Sequence, residues 1–139
     1  MGRVTTAVKI ENLFDLLAIQ RGLIPESEAR RIDVAEALVD TGASTLSLPR
    51  SMIEKLGLTL VRTRKAVTSA GVVEINMFGT VRMTIDGRDC VSDVVELPEE
   101  CPVLIGQIPL ELLDFVVDVA RHRLIGNPAH GGEHIIELY

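Results

Sequence analysis

Between Val81 and Asp86 the apolar residues Val81, Met83 and Ile85 alternate with Arg82, Thr84 and Asp86. A period of two predicts a half-buried strand. Asp86-Gly87 then gives a two-residue hairpin signal, with 90–97 as the return strand. Val and Thr enrichment predicts a strand over 4–10, and the pattern around Ile32 and Val34 predicts another over 32–39. The second strand ends in the apolar run Ala37-Leu38-Val39, the mark of a strand end buried on both faces. Further strands are expected over 45–48, 58–68 and 72–77, with Ser69-Ala70-Gly71 joining the last two. A closing hairpin is expected over 115–119 and 123–125, and a terminal strand over 134–139.

Helical signals are few. Asn12 can cap a helix over 13–21 that ends at Gly22, with Leu13, Leu16, Leu17 and Gln20 on one face. Residues 25–28 read as a turn or one helical turn. Residues 49–56 have Pro near the first position and Gly57 past the end. A third short helix is expected over 109–113. Many short strands with two or three short helices predict an all-β fold, closed and barrel-like, as one domain over 1–139.

Composition narrows the function. The 139 residues carry 20 acidic and 14 basic side chains, a net charge of −6. The basic clusters are short, there is no Trp and one Tyr, so neither a basic surface nor a stacking platform for nucleic acid is expected. The apolar stretch 13–24 is broken by Asp15, Gln20 and Arg21, so no membrane span is expected there. With no apolar leader at the N-terminus, cytoplasmic location is the expectation. Cys90 and Cys101 fit neither a C-x-x-C pair nor a Cys/His metal set, and reduced, half-buried thiols are expected. His130 and His134 are four apart, but Gly131-Gly132 between them opposes the helix that a zinc site would need, so a flexible loop is expected. His122 is expected in a solvated turn. Ser44 and Ser47 have no histidine placed as a base. Neither metal nor cofactor is called for.

The chemistry concentrates at Asp40-Thr41-Gly42, which follows the apolar strand end and lets a carboxylate project from a rigid base. Hydrolysis of a peptide bond by carboxylates needs two, one ionised and one protonated. At about 3 Å apart they share a proton and titrate as a coupled dyad. The chain has one such tripeptide. Its single aspartate therefore points to a symmetric homodimer.

The segment Ala37-Leu38-Val39-Asp40-Thr41-Gly42-Ala43-Ser44 resembles the active-site segment of the retropepsin-like aspartic proteases. Leu104-Ile105-Gly106, followed by a short helix, is similar to that family's second signature. The hairpin tip Ser69-Ala70-Gly71 falls where the family has its flap. The resemblance covers about 32–125 and is nearest to the prokaryotic single-domain members. It implies the acid-protease fold, with Asp40 catalytic. Thr41 would bond across the two-fold axis and Gly42 would bring its backbone to the substrate. Ala43, Ile105 and Gly106 would support the turn, and the flap would close over an extended peptide bound as an added strand. The family's terminal strands interleave in the dimer, so 4–10 and 135–139 are expected either to do so or to form an intrachain edge. Ser44 and Gln107 depart from the viral pattern, where an acidic residue and an arginine pair. That departure leaves a second expectation, a catalytically weak or inactive binding or assembly module.

Overall fold

A computed structural model describes residues 3–138. The chain runs β1 (Thr5–Asn12), α1 (Leu13–Gln20), a 3-10 turn (Glu26–Glu28), β2 (Arg31–Val39), β3 (Leu46–Pro49) and α2 (Arg50–Lys55). It continues with β4 (Thr59–Thr68), β5 (Gly71–Ile85), β6 (Arg88–Leu97), β7 (Leu104–Ile105) and α3 (Gln107–Leu112). It ends in β8 (Phe115–Asp118), β9 (Arg123–Gly126) and a 3-10 turn (Pro128–His130). Strands dominate and the three helices are short, as the hydrophobic pattern predicts.

Seven strands lie in the order β1-β2-β7-β3-β6-β5-β4, and β5 also pairs back onto β1, which closes six of them into a ring. Val8 and Ile10 of β1, Leu46 and Leu48 of β3, Val81, Met83 and Ile85 of β5 and Val94 of β6 turn inward, where all are buried. The alternation seen in the sequence is thus the inside and outside of the ring. Where β1, β2 and β5 meet, the carboxylate of buried Glu11 accepts from Arg31 Nε at 3.2 Å and Arg82 Nη2 at 3.0 Å. A buried carboxylate held by two guanidinium groups fixes the register of the closure, because a one-residue slip would strand it unpaired.

α1 starts as the sequence predicts, with Asn12 Oδ1 accepting the Asp15 N–H at 3.1 Å. Asn12 is itself buried, and its amide donates to Leu56 O at 2.8 Å. The helix does not bury the expected apolar face. Phe14 and Leu17 are exposed, and the buried residue is Asp15, which takes two bonds from the Arg30 guanidinium and one from the Arg30 N–H, all at 2.9 Å. A fully partnered carboxylate can be buried where an unpaired one could not.

Further expectations are decided by the structure. α3 begins two residues earlier than predicted, because Ala43 O and Ser44 O accept the N–H groups of Gln107 and Ile108, both at 2.9 Å. Those are helix-start donors that would otherwise need a cap. Residues 134–138 form no strand, and Tyr139 lies outside the described residues. The segment is held as coil by single bonds, Ile135 N–H to Asp114 Oδ2 at 3.1 Å among them. β1 pairs within the chain, with β2 over most of its length and with β5 from Lys9 to Asn12, so along that stretch neither edge is free.

His130 departs from its expectation as well. It ends a 3-10 turn instead of lying in a flexible loop, and its Nδ1 stands 2.6 Å from Asp114 Oδ2, its Nε2 3.1 Å from Glu137. Asp114 is buried and also accepts from the Asn127 amide. The hydrogen bond to His130, helped by those from Ile135 and Asn127 and opposed by burial, holds its carboxyl down to about 2. The same bond, and a weaker one to Glu137, raise the pKa of His130. His122 sits exposed in the β8–β9 turn, as expected. Cys90 and Cys101 are both half-buried and unpaired. Among the described residues no helix is long and apolar enough to cross a membrane.

Candidate active site

β2 leaves the ring at Val39, and the chain turns through Asp40-Thr41-Gly42 before entering β3. Ala43 N–H donates to Asp40 O at 3.0 Å and closes the turn. Gly42 N–H donates to Asp40 Oδ1 at 3.0 Å, which orients the carboxylate. A side chain at Gly42 would crowd this oxygen, since its Cβ would lie 3.2 Å from Oδ1. Asp40 is half-buried, and its other oxygen has no hydrogen-bond partner among the described residues.

The turn rests on β7. Val39 and Leu38 pair in parallel with Ile105 and Leu104, and Leu46 and Ser47 of β3 pair with the same two residues from the other side. Asp40 N–H donates to Ile105 O at 2.9 Å and Gly106 N–H to Thr45 O at 3.0 Å. With the Gln107 and Ile108 bonds, four backbone hydrogen bonds join the loop to 105–108. Ile105 is fully buried. Gly106 must be glycine on packing grounds alone: a Cβ there would stand 2.6 Å from Ser44 C and 2.7 Å from both Ala43 O and Thr45 N. Asp40, Thr41, Gly42, Ala43, Ile105 and Gly106, sixty-odd positions apart at the extremes, therefore form one rigid cluster. Thr41 is exposed, and among the described residues its hydroxyl has no partner.

Ser69, Ala70 and Gly71 lie elsewhere. Thr68 pairs with Gly71, so Ser69-Ala70 is the two-residue tip of the β4–β5 hairpin. Gly71 has φ +105, outside the ordinary range for a side-chain-bearing residue. Thr68 Oγ1 donates to Gly71 O at 3.0 Å and accepts from Ala70 N–H at 3.2 Å. Val67 and Val72 flank the tip and are largely exposed, at 87% and 66%. The arm is held by its own ladder and is free of the core, which suits an element that moves.

Two supports were not read from the sequence. Thr45 Oγ1 donates to Asp93 O at 3.2 Å, with Ser92 Oγ also at 3.2 Å, tying the loop to β6. Asp93 in turn accepts from Thr80 Oγ1 at 3.2 Å and stands 3.7 Å from Arg62. Polar residues in an alternating strand signal only an outward face, so their partners were illegible. The Gln107 amide donates to Glu111 at 3.0 Å within α3, not to the loop.

A seated carboxylate, its turn anchored on a buried Ile-Gly pair, can act as one half of an acid–base pair. No curated protein matches the chain. The family model described as aspartyl protease matches residues 30–108, more than half of the chain, from just before β2 into α3. That span contains the Asp40 turn, the β4–β5 hairpin and Ile105-Gly106, and the chain belongs to the aspartyl protease family.

Proposed function

We propose that the protein is a homodimeric aspartic endopeptidase in which Asp40 of each protomer supplies half of the catalytic dyad. The observation that carries this is the seating of Asp40: its N–H bonded to Ile105 O, its carboxylate oriented by Gly42, and one free oxygen beside an exposed Thr41. A lone carboxylate so rigidly held is chemically incomplete, and a two-fold axis beside it completes the pair.

In the pair, the ionised carboxylate takes a proton from water as the water oxygen attacks the peptide carbonyl. The protonated carboxyl gives its proton to the carbonyl oxygen. Collapse of the tetrahedral intermediate then expels the amine, which takes a proton from the dyad. Thr41 supports the axis across the two chains, and the hairpin tip Ser69-Ala70-Gly71 closes over the peptide and excludes water. Activity is favoured by acid, since one carboxyl must stay protonated. Asp40→Asn should abolish cleavage of a peptide library at pH 4–6 while leaving the circular dichroism spectrum and thermal midpoint near those of the unmodified protein. Retained cleavage would sink the proposal.

A second reading, a binding or assembly module without turnover, draws on Gln107, whose side chain bonds Glu111 instead of bracing the loop. A strict monomer by sedimentation at micromolar concentration, unchanged by a statine peptide, favours it.

A further inference from the structure

α1 packs against β1 and β5, and beside it lies an open hollow of about 260 Å³. Leu16 and Ile19 of α1 line it together with Lys9 of β1, Arg31 of β2 and Arg82 of β5, and the buried Glu11 is among them. The register explains the grouping. Glu11 stands opposite Arg31 on one side and Arg82 on the other, and Lys9, two residues earlier in β1, shares their face.

The positive charge here exceeds what folding needs. One guanidinium can neutralise a buried carboxylate, and Glu11 has two. Arg31 gives it only Nε, and Arg82 gives Nε and Nη2. Both terminal nitrogens of Arg31 and Nη1 of Arg82 are left without a partner among the described residues, on side chains 36% and 39% exposed. Lys9 and Glu26, the remaining charges of the lining, form no ion pair among the described residues. Asp33 stands opposite Lys9 on β2 but lines the neighbouring hollow. Three cations against two carboxylates leave the hollow with one positive charge in excess. Glu11 already holds two of the cations in place, so an anion that takes their spare donors immobilises little.

Leu16 and Ile19 put apolar surface beside those donors. A monoanion with a hydrocarbon chain satisfies both. A dianion such as phosphate exceeds the available charge, meets Glu26 and leaves the apolar surface wet, and an uncharged chain leaves the donors unused. We infer that this hollow binds an aliphatic carboxylate, with its head on Lys9, Arg31 and Arg82 and its chain along Leu16 and Ile19. The site is remote from the Asp40 turn. Arg31 opens β2 and Asp40 follows its last residue, about 30 Å away along the chain at about 3.3 Å per residue. It therefore stands whether or not the protein cuts peptides.

Hexanoate is the probe. The full chain, isotope-labelled, is titrated at pH 7 with hexanoate, acetate, hexanol and inorganic phosphate, and two-dimensional NMR follows its amide groups. Hexanoate should shift the Lys9, Glu11, Leu16 and Ile19 signals saturably. Acetate should bind at least about tenfold more weakly, since one fully buried methylene is worth about fourfold and acetate lacks several. Hexanol should be weaker by about tenfold or more through loss of the charge-assisted bonds, and phosphate should also bind more weakly than hexanoate. Lys9→Gln leaves the Glu11 bonds intact. It should weaken hexanoate about threefold, the scale of one exposed charge, with the thermal midpoint unchanged. Leu16→Ser should bring hexanoate towards acetate; if that variant fails to fold, the ligand series and Lys9→Gln decide. The inference is overturned if hexanoate gives no saturable shift or shifts signals centred elsewhere. Phosphate or hexanol binding as tightly as hexanoate overturns it too, as does hexanoate binding that Lys9→Gln leaves unchanged.

Discussion

Gly106→Ala tests the seating of Asp40 with one methyl group. Gly106 has φ −88, a conformation that alanine adopts freely. At such a position the change to alanine stabilises by about 0.4–1 kcal/mol through the unfolded chain. Packing here acts in the opposite direction. The new Cβ would meet Ser44 C at 2.6 Å, Ala43 O at 2.7 Å and Thr45 N at 2.7 Å. All three are backbone atoms of the loop, so no side-chain rotation relieves the contact. Overpacking costs about 1–3 kcal/mol even where side chains can shift. Moving the loop away also stretches the Gly106, Gln107 and Ile108 bonds, each worth about 0.5–1.5 kcal/mol net. A net loss of about 3 kcal/mol follows, or roughly 10 °C in thermal midpoint for a chain of this size. Thermal unfolding followed by circular dichroism reads it. Gly42→Ala is the comparison: its Cβ meets only the Asp40 carboxylate oxygen at 3.2 Å, which can swing aside. That variant should lose activity with a midpoint within about 3 °C of the unmodified protein. A Gly106→Ala protein as stable as the parent would refute the close packing on which the seating argument depends.

Two further predictions concern titratable groups. The folded pKa of His130 is raised, so its bond to Asp114 contributes fully below the ordinary histidine value near 6.5 and is lost as pH rises through the raised value. Asp114, lowered to about 2, contributes above the ordinary value of 3.8 and is lost as pH falls towards 2. Urea unfolding midpoints should therefore peak between about pH 4 and 6.5, and His130→Ala should remove the decline on the alkaline side; an unchanged profile would contradict the pairing. Cys90 is pushed up to about 11 by burial and by the neighbouring Asp89 charge, from an ordinary 9.0. In Cys101→Ser protein, Cys90 should react with a disulfide reagent at pH 8 roughly 100-fold more slowly than a free thiol, and a rate equal to that of free cysteine would show the site to be open.

The elements that the sequence made legible share one property: their pattern is set by burial. The alternation at Val81, Met83 and Ile85 and the apolar run before Asp40 both report contact with the core. So do Leu104-Ile105-Gly106, whose small residue and buried neighbour are required by the loop above them. What stayed hidden was decided by polar pairing over long separations. Asp15 is buried because Arg30 reaches it, Glu11 because Arg31 and Arg82 do, and His130 is ordered because the Asp114 carboxylate, sixteen residues upstream, pairs with it. No local pattern announces such partners. The early start of α3 belongs to the same class, since its cap is supplied by the carbonyls of the distant Asp40 loop. Within the single chain, Ile135, Ile136 and Leu138 have strand-forming character but pair with no strand among the described residues, and all three remain exposed. Propensity alone does not bury a strand.

The central claim is that one active site takes Asp40 from two chains. Mixing unmodified and Asp40→Asn protein in varied proportion, with subunit exchange allowed, and measuring cleavage of one peptide at constant total protein tests it directly. If both aspartates are needed, only pairs of unmodified chains are active, and an equal mixture retains about one quarter of the full rate. The rate should follow the square of the unmodified fraction. A linear dependence, with half the rate in an equal mixture, would mean that each Asp40 works alone.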